Sequence, residues 1–150
     1  MACNGDVTTT AGTTIAIGPA PTTLDAAGFG AVSYELIGEV ASIGTIGNTY
    51  NTATRTPLAD RAVIETKTSY TRGNPELGLA ISDTDVGQVA ARAALDSDDC
   101  YSIRIVRQSG AIIYLAAQVS AFTVTFDTDE YENGSIMLLA QSDNVNVVAP

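Results

Sequence analysis

The constraint that dominates this chain is a repeated alternation of apolar and polar residues in short runs. "TTIAIG" (13–18), "AVSYELIGEVASIGTI" (31–46), "RAVIETKTSY" (61–70) and "YSIRIVR" (101–107) all read with a period of two, the pattern of a strand with one covered face. In the second run Val32, Tyr34 and Leu36 share a face opposite Ser33, Glu35 and Ile37, and Gly38 predicts a bulge or bend within one long strand. In the third run Ile64, Thr66, Thr68 and Tyr70 oppose Val63, Glu65, Lys67 and Ser69. A short strand "LGLAI" (77–81) follows the turn "TRGNPE". "AIIYLAAQVSAFTVTF" (111–126) reads as two strands or one bent strand, with Phe122, Val124 and Phe126 on one face, and "SIMLLAQSDNVNVV" (135–148) closes the series. Strands recurring every 8–12 residues or so predict a mainly β sandwich or barrel. At 150 residues the chain is expected to form one domain, 1–150, preceded by a polar N-terminal arm over 1–12.

Three stretches break the alternation. "PAPTTLDAAGFG" (19–30) holds two prolines and three glycine or aspartate turn formers, and is expected to be a loop. "GNTYNTATRTPLAD" (47–60) has no period and reads as a long polar connection, which is uncommon in a compact domain unless it serves a function. "SDTDVGQVAARAAL" (82–95) carries two overlapping capping boxes, Ser82 to Asp85 and Asp85 to Gln88, and predicts one helix over about 84–95. Val86, Val89, Ala90 and Ala93 recur at helical spacing, so this narrow stripe of small side chains is the expected packing face. "DSDD" (96–99) ends the helix.

The chemistry available is limited. There is no histidine, so neither a Ser-His-Asp nor a Cys-His arrangement can form. The phosphate-cradling glycine loops are missing. A calcium loop starting at Asp127 has Glu132 where glycine is needed, and one starting at Asp83 has Ala94 where a glutamate is needed. A looser carboxylate site at Asp96, Asp98 and Asp99 competes with a plain solvated turn. A two-carboxylate glycosidase would want an aromatic cleft, and the chain has no tryptophan. No catalytic residue, metal or cofactor is therefore expected. Seven basic residues against 17 acidic ones disfavour tight binding of nucleic acid, which needs clustered cations. Cys100 reads as a small core residue and Cys3 as a free thiol. "MACNGDVTTT" lacks a basic and an apolar region, so no signal peptide is expected, and no apolar run reaches membrane-spanning length. These features predict a protein made in a reducing cytoplasm.

The order of parts over residues 33–148 resembles that of the major tail (tail tube) proteins of long-tailed, non-contractile bacteriophages. The stretches that carry the resemblance are "YELIGEVASIG", the long connection ending "TRTPLAD", "ETKTSYTRGNPELGLAIS", the helix opening "SDTDVGQ", "YSIRIVRQSGAIIYLAAQVSAF" and "GSIMLLAQSDNVNVV". The resemblance implies a β-sandwich or barrel with one flanking helix, assembled as hexameric rings stacked into a hollow tube that conducts DNA. Neighbouring subunits would share one inner barrel, and DNA would pass without specific binding. It further implies that 47–60 reaches between rings, with Asn48, Tyr50, Asn51, Arg55 and Asp60 as candidate contacts. Other tail proteins, such as the tape measure, terminator and tail tip, would be partners, and the virion tail, assembled in the host cytoplasm, the location. Type VI secretion tube subunits share this architecture. A tail terminator and a monomeric surface-displayed β-sandwich binding module are the remaining alternatives. A DNA conduit should offer phosphates no basic patch, so the lumen of such a tube is expected to be net negative. Glu35, Glu39 and Glu65, with Ser33 and Ser69, are the candidate lining residues; an outer solvated face or an ion pair with Arg61 or Lys67 would serve these glutamates equally well.

Overall fold

A computed structural model describes residues 10–148, so Cys3 and most of the expected N-terminal arm lie outside the described residues. The strands are β1 (Thr14–Gly18), β2 (Glu35–Leu36), β3 (Val40–Ser42), β4 (Asn48–Arg55), β5 (Ile64–Arg72), β6 (Glu76–Ala80), β7 (Tyr101–Val106), β8 (Ile112–Thr125), β9 (Asn133–Ala140) and β10 (Val145–Val147). The helices are α1 (Ala26–Gly30) and α2 (Val86–Leu95). One antiparallel sheet runs β2-β1-β7-β8-β9-β6-β3, with β10 added alongside β8, and β4–β5 form a separate two-stranded sheet. The expected mainly β, barrel-like fold with one flanking helix is present, built from a single curled sheet.

The curl has a simple cause. The two end strands of the sheet, β2 and β3, are consecutive in the chain, with only residues 37–39 between them. Four residue steps reach at most about 14 Å, so the two edges must approach each other. The run at 31–46 is thus not one strand bent at Gly38. It breaks there, and its halves pair with opposite edges, Leu36 with Ala16 on β1 and Val40 with Leu79 on β6. Glu39 takes a left-handed φ of 62° at the break. The break also reassigns faces: Ile37 is buried while Leu36 is exposed.

The interior of the curl is filled by Ile15, Ile17, Ile37, Leu77, Leu79, Ile103, Ile105, Leu115, Val119, Ile136 and Leu138, with Ala91 and Ala94 of α2. A bulge in β8 between Val119 and Ala121 keeps this core continuous. It shifts the alternation by one residue, so that Phe122 packs against the same core as Leu115, Ala117 and Val119. The reading of 111–126 as one bent strand is the one realised.

The opposite face of β8 carries a smaller core of Phe29, Tyr114 and Ala116, with Tyr34 packed against it. Helix α1, where a loop was expected, supplies Phe29. Asp25 caps it, accepting from the Gly28 N–H at 2.7 Å. That bond and one from the Thr23 hydroxyl hold the Asp25 carboxyl below its ordinary pKa. The Phe29 ring stacks on Tyr114 at 5.5 Å, and the Tyr34 hydroxyl donates to the Phe29 carbonyl at 2.8 Å. Because Phe29 is fully buried, Phe29→Ala is expected to cost about 3–4 kcal/mol, measured as a lower urea midpoint with an unchanged slope.

Helix α2 begins one capping box later than its earliest signal. Asp85 is the N-cap and accepts from the Gln88 N–H at 3.0 Å. The face turned to the core is Gly87, Gln88, Ala91 and Ala94. The expected stripe of Val86, Val89, Ala90 and Ala93 is rotated outward, with Val86 60% and Val89 51% exposed and only Ala90 partly covered. The reason is the contact α2 makes with the 36–38 break. A Cβ on Gly87 would stand inside van der Waals contact of the Leu36 carbonyl and 2.6 Å from Ile37 Cα. Helix and break therefore touch backbone to backbone, and only glycine permits it.

Gln88 completes the junction. Its Nε2 donates to the Gly38 carbonyl at 3.0 Å and the Ala80 carbonyl at 2.9 Å. Its Oε1 accepts from the Ser82 N–H at 2.9 Å, while Asp85 accepts from the Gly38 N–H at 3.0 Å. A break in a sheet leaves peptide groups without ladder partners, and buried peptides need partners. Here two side chains from one helix end provide them.

Candidate assembly interface

Residues 47–60, expected as a loop, form instead the first strand and tip of the β4–β5 hairpin. Asn48 pairs with Arg72 and Arg55 with Ile64 across it. Every residue of β4 is exposed, as is almost all of β5. Among the described residues no other strand or helix packs extensively against it. A strand with neither face covered has no apolar side to display, which is why "NTYNTATR" shows no alternation.

The hairpin has two unlike faces, set by a bulge between Tyr50 and Thr52. One carries Tyr50 and Tyr70, ring centroids 5.1 Å apart. Lys67 Nζ lies 4.9 Å from the Tyr50 ring and the Arg72 guanidinium 5.6 Å from the Tyr70 ring. The other face includes Asn51, bonded to Ser69 at 3.2 Å, and carries Arg55 opposite Ile64 towards the tip. The bulge separates Ser69 from Glu65 and Lys67, with which simple alternation had grouped it, and places Tyr70 with them. At the base, the Gly73 N–H donates to the Gly47 carbonyl at 2.8 Å, and Arg72 pairs with Asp143 at 3.0 Å. At the tip Leu58 is fully exposed and Val63 largely so.

The hairpin is also an electrostatic exception. Residues 47–73 hold Arg55, Arg61, Lys67 and Arg72 against Asp60 and Glu65; the rest of the chain holds three cations against fifteen carboxylates. Among the described residues, neither Arg55, Arg61 nor Lys67 has an ion-pair partner.

The other candidate residues do not converge within one chain. Ser33 lies before β2 and Glu35 at its start, Glu39 at the break beyond it, and Glu65 and Ser69 on the hairpin; all five are exposed. Asp60 sits in the hairpin tip, where its carboxylate accepts from the Ala62 N–H at 3.2 Å. Cys100 is only partly buried, at the entry to β7. Among the described residues no group of three or more acidic or thiol side chains is placed to hold a metal ion, and no helix is long and apolar enough to cross a membrane.

A curled sheet with one covering helix and a projecting hairpin defines a class, the tail tube fold of phage tails and injection systems. Particular solved structures share it across nearly the whole chain. A chain from the extended-state sheath/tube terminator of the extracellular contractile injection system PVC aligns over 95% of this chain and 97% of its own, with TM-score 0.69 at 12% identity. A chain from the tail of an empty gene transfer agent particle aligns over 89% and 96%, with TM-score 0.65 at 12% identity. The SPP1 tail tube protein aligns over 89% of this chain and 75% of its own, with TM-score 0.66 at 12% identity. No protein-family model matches the sequence, and no curated protein does.

Proposed function

We propose that this chain is a structural subunit of a hollow tail tube, in which copies close into six-fold rings that stack and leave a central channel for DNA. The observation that carries the reading is the β4–β5 hairpin. A two-stranded sheet covered on neither face is marginal in water, and among the described residues nothing buries either face of this one. In this reading its covering surface comes from another copy. The likeness in fold to tube proteins supports the same reading. Other tail components would complete the particle, and the virion tail would be its location.

Negative-stain microscopy of concentrated protein tests the proposal. Rings or tubes with a central hole are expected; particles that stay monomeric at every concentration overturn it. The net charge of −10 supports a channel wall richer in carboxylates than in cations, with Glu35 and Glu39 the foremost candidates among the five. In a reconstruction of the tube, a wall dominated by arginine and lysine would rule out that part. A terminator ring is the second reading, favoured by the near-complete overlap with the sheath/tube terminator chain. It predicts single rings that never elongate, whereas a tube subunit polymerises without a fixed end.

A further inference from the structure

We propose that the basic β4–β5 hairpin docks onto the acidic β8–β9 turn of a second copy, so that charge complementarity sets the head-to-tail contact. The inference rests on the tube reading and adds the surface that receives the hairpin. In β6–β9 pairing, Glu76 lies opposite Met137 and Ala80 opposite Asn133. The hairpin leaves the fold just before Glu76, and the β8–β9 turn just precedes Asn133. The two features therefore extend from opposite ends of the same strand pair. At eight residues and about 3.4 Å per residue, the hairpin reaches roughly 27 Å from its base.

The two surfaces complement each other twice. The turn presents Asp127, Asp129, Glu130 and Glu132, all exposed, and among the described residues none of them has a cationic partner. The hairpin presents Arg55, Arg61 and Lys67, likewise without one. Beside the charges, the turn exposes Phe126 at 72% and Tyr131 at 81%, and the hairpin tip exposes Leu58 and Val63. Exposed apolar side chains ringed by charge mark a binding surface. Two different patches meeting head to tail make a heterologous contact, which repeats from copy to copy and runs on as a filament wherever its rotation does not close a ring.

The test uses two full-length charge-reversed chains, one with R55E, R61E and K67E and the other with D127K, D129K, E130K and E132K. Circular dichroism and melting first verify that both fold. Each alone is expected to assemble only at a critical concentration at least ~10-fold above that of the natural chain, because like charges now meet. Mixed one to one, they are expected to recover assembly, since every acidic hairpin then finds a basic turn. Assembly of the natural chain should weaken as sodium chloride rises from about 50 to 500 mM, over which charges are screened. Folded single variants that assemble normally, or a mixture that fails to recover, overturn the docking while leaving the tube reading intact. So does a hairpin variant that assembles normally but loses retention of duplex DNA. A natural chain that never assembles overturns both.

Discussion

Gly87→Ala is expected to destabilise the fold by about 3 kcal/mol, although alanine is the better helix former. Helix propensity alone would favour alanine by about 1 kcal/mol. Against this stands the approach of α2 to the 36–38 break, where the new methyl would overlap the Leu36 carbonyl. Backbone cannot swing aside as a side chain does, so the helix must lift, and overpacking of this kind costs about 1–3 kcal/mol before any lost bonds are counted. Lifting also pulls Gln88 away from Gly38 and Ala80. Gln88→Leu isolates this second contribution. It keeps the volume near and the packing apolar, but leaves two carbonyls and the Ser82 N–H without their partner, at about 1–3 kcal/mol for each group that water cannot reach. The control is Val89→Ser, on the exposed side of the same helix, expected to change stability by less than about 0.5 kcal/mol. Urea unfolding of the three variants checks the ranking. A Gly87→Ala chain as stable as the natural one would mean that helix and break do not touch.

Removing the hairpin should have the reverse profile, with assembly lost and the fold kept. Gly47 and Gly73 are already hydrogen-bonded across its base, so a two-residue glycine turn can join 47 to 73 without moving the body. No residue of β4 or β5 belongs to either core cluster. The bonds given up are the exposed ones from Asn48 and Arg72 to Asp143, and exposed ion pairs contribute about 1 kcal/mol or less. The melting temperature is therefore expected to move by only a few degrees. Ring and tube formation, followed by sedimentation velocity and microscopy, should disappear. A truncated chain that still forms tubes would show that the hairpin is ornament. One that unfolds would show that it belongs to the domain core after all.

Much of this architecture is legible in the residues, and the parts that are not share one cause. Strands β1, β6, β7 and β8 announce themselves because each alternates, or is apolar, in response to covered faces, whereas β5 alternates with almost every residue exposed. The helix announces itself through Asp85 and Gln88, whose spacing is a local requirement of any helix start. On α2 the apolar Val86 and Val89 face outward, while Gly87 and Gln88, which carry no apolar signal, face the core. The buried side was chosen by a backbone contact and by orphaned peptide groups at residue 38, and hydrophobicity encodes neither. α1 was hidden for a related reason, since its five residues bury little more than Phe29 and Gly28.

What this sequence determines by itself is what local rules can state: a β-rich chain, a capped helix within about 84–95, an acidic balance of charge, and no histidine for catalysis. Only the tertiary structure decided that one alternating run splits to serve both edges of a sheet, that Gln88 fastens the split, and that the aperiodic 47–60 stretch begins a projecting basic hairpin. The physical reason is that alternation records burial within reach of neighbouring residues. The pairing of distant edges, and a strand such as β4 with neither face covered, leave no periodic mark along the chain.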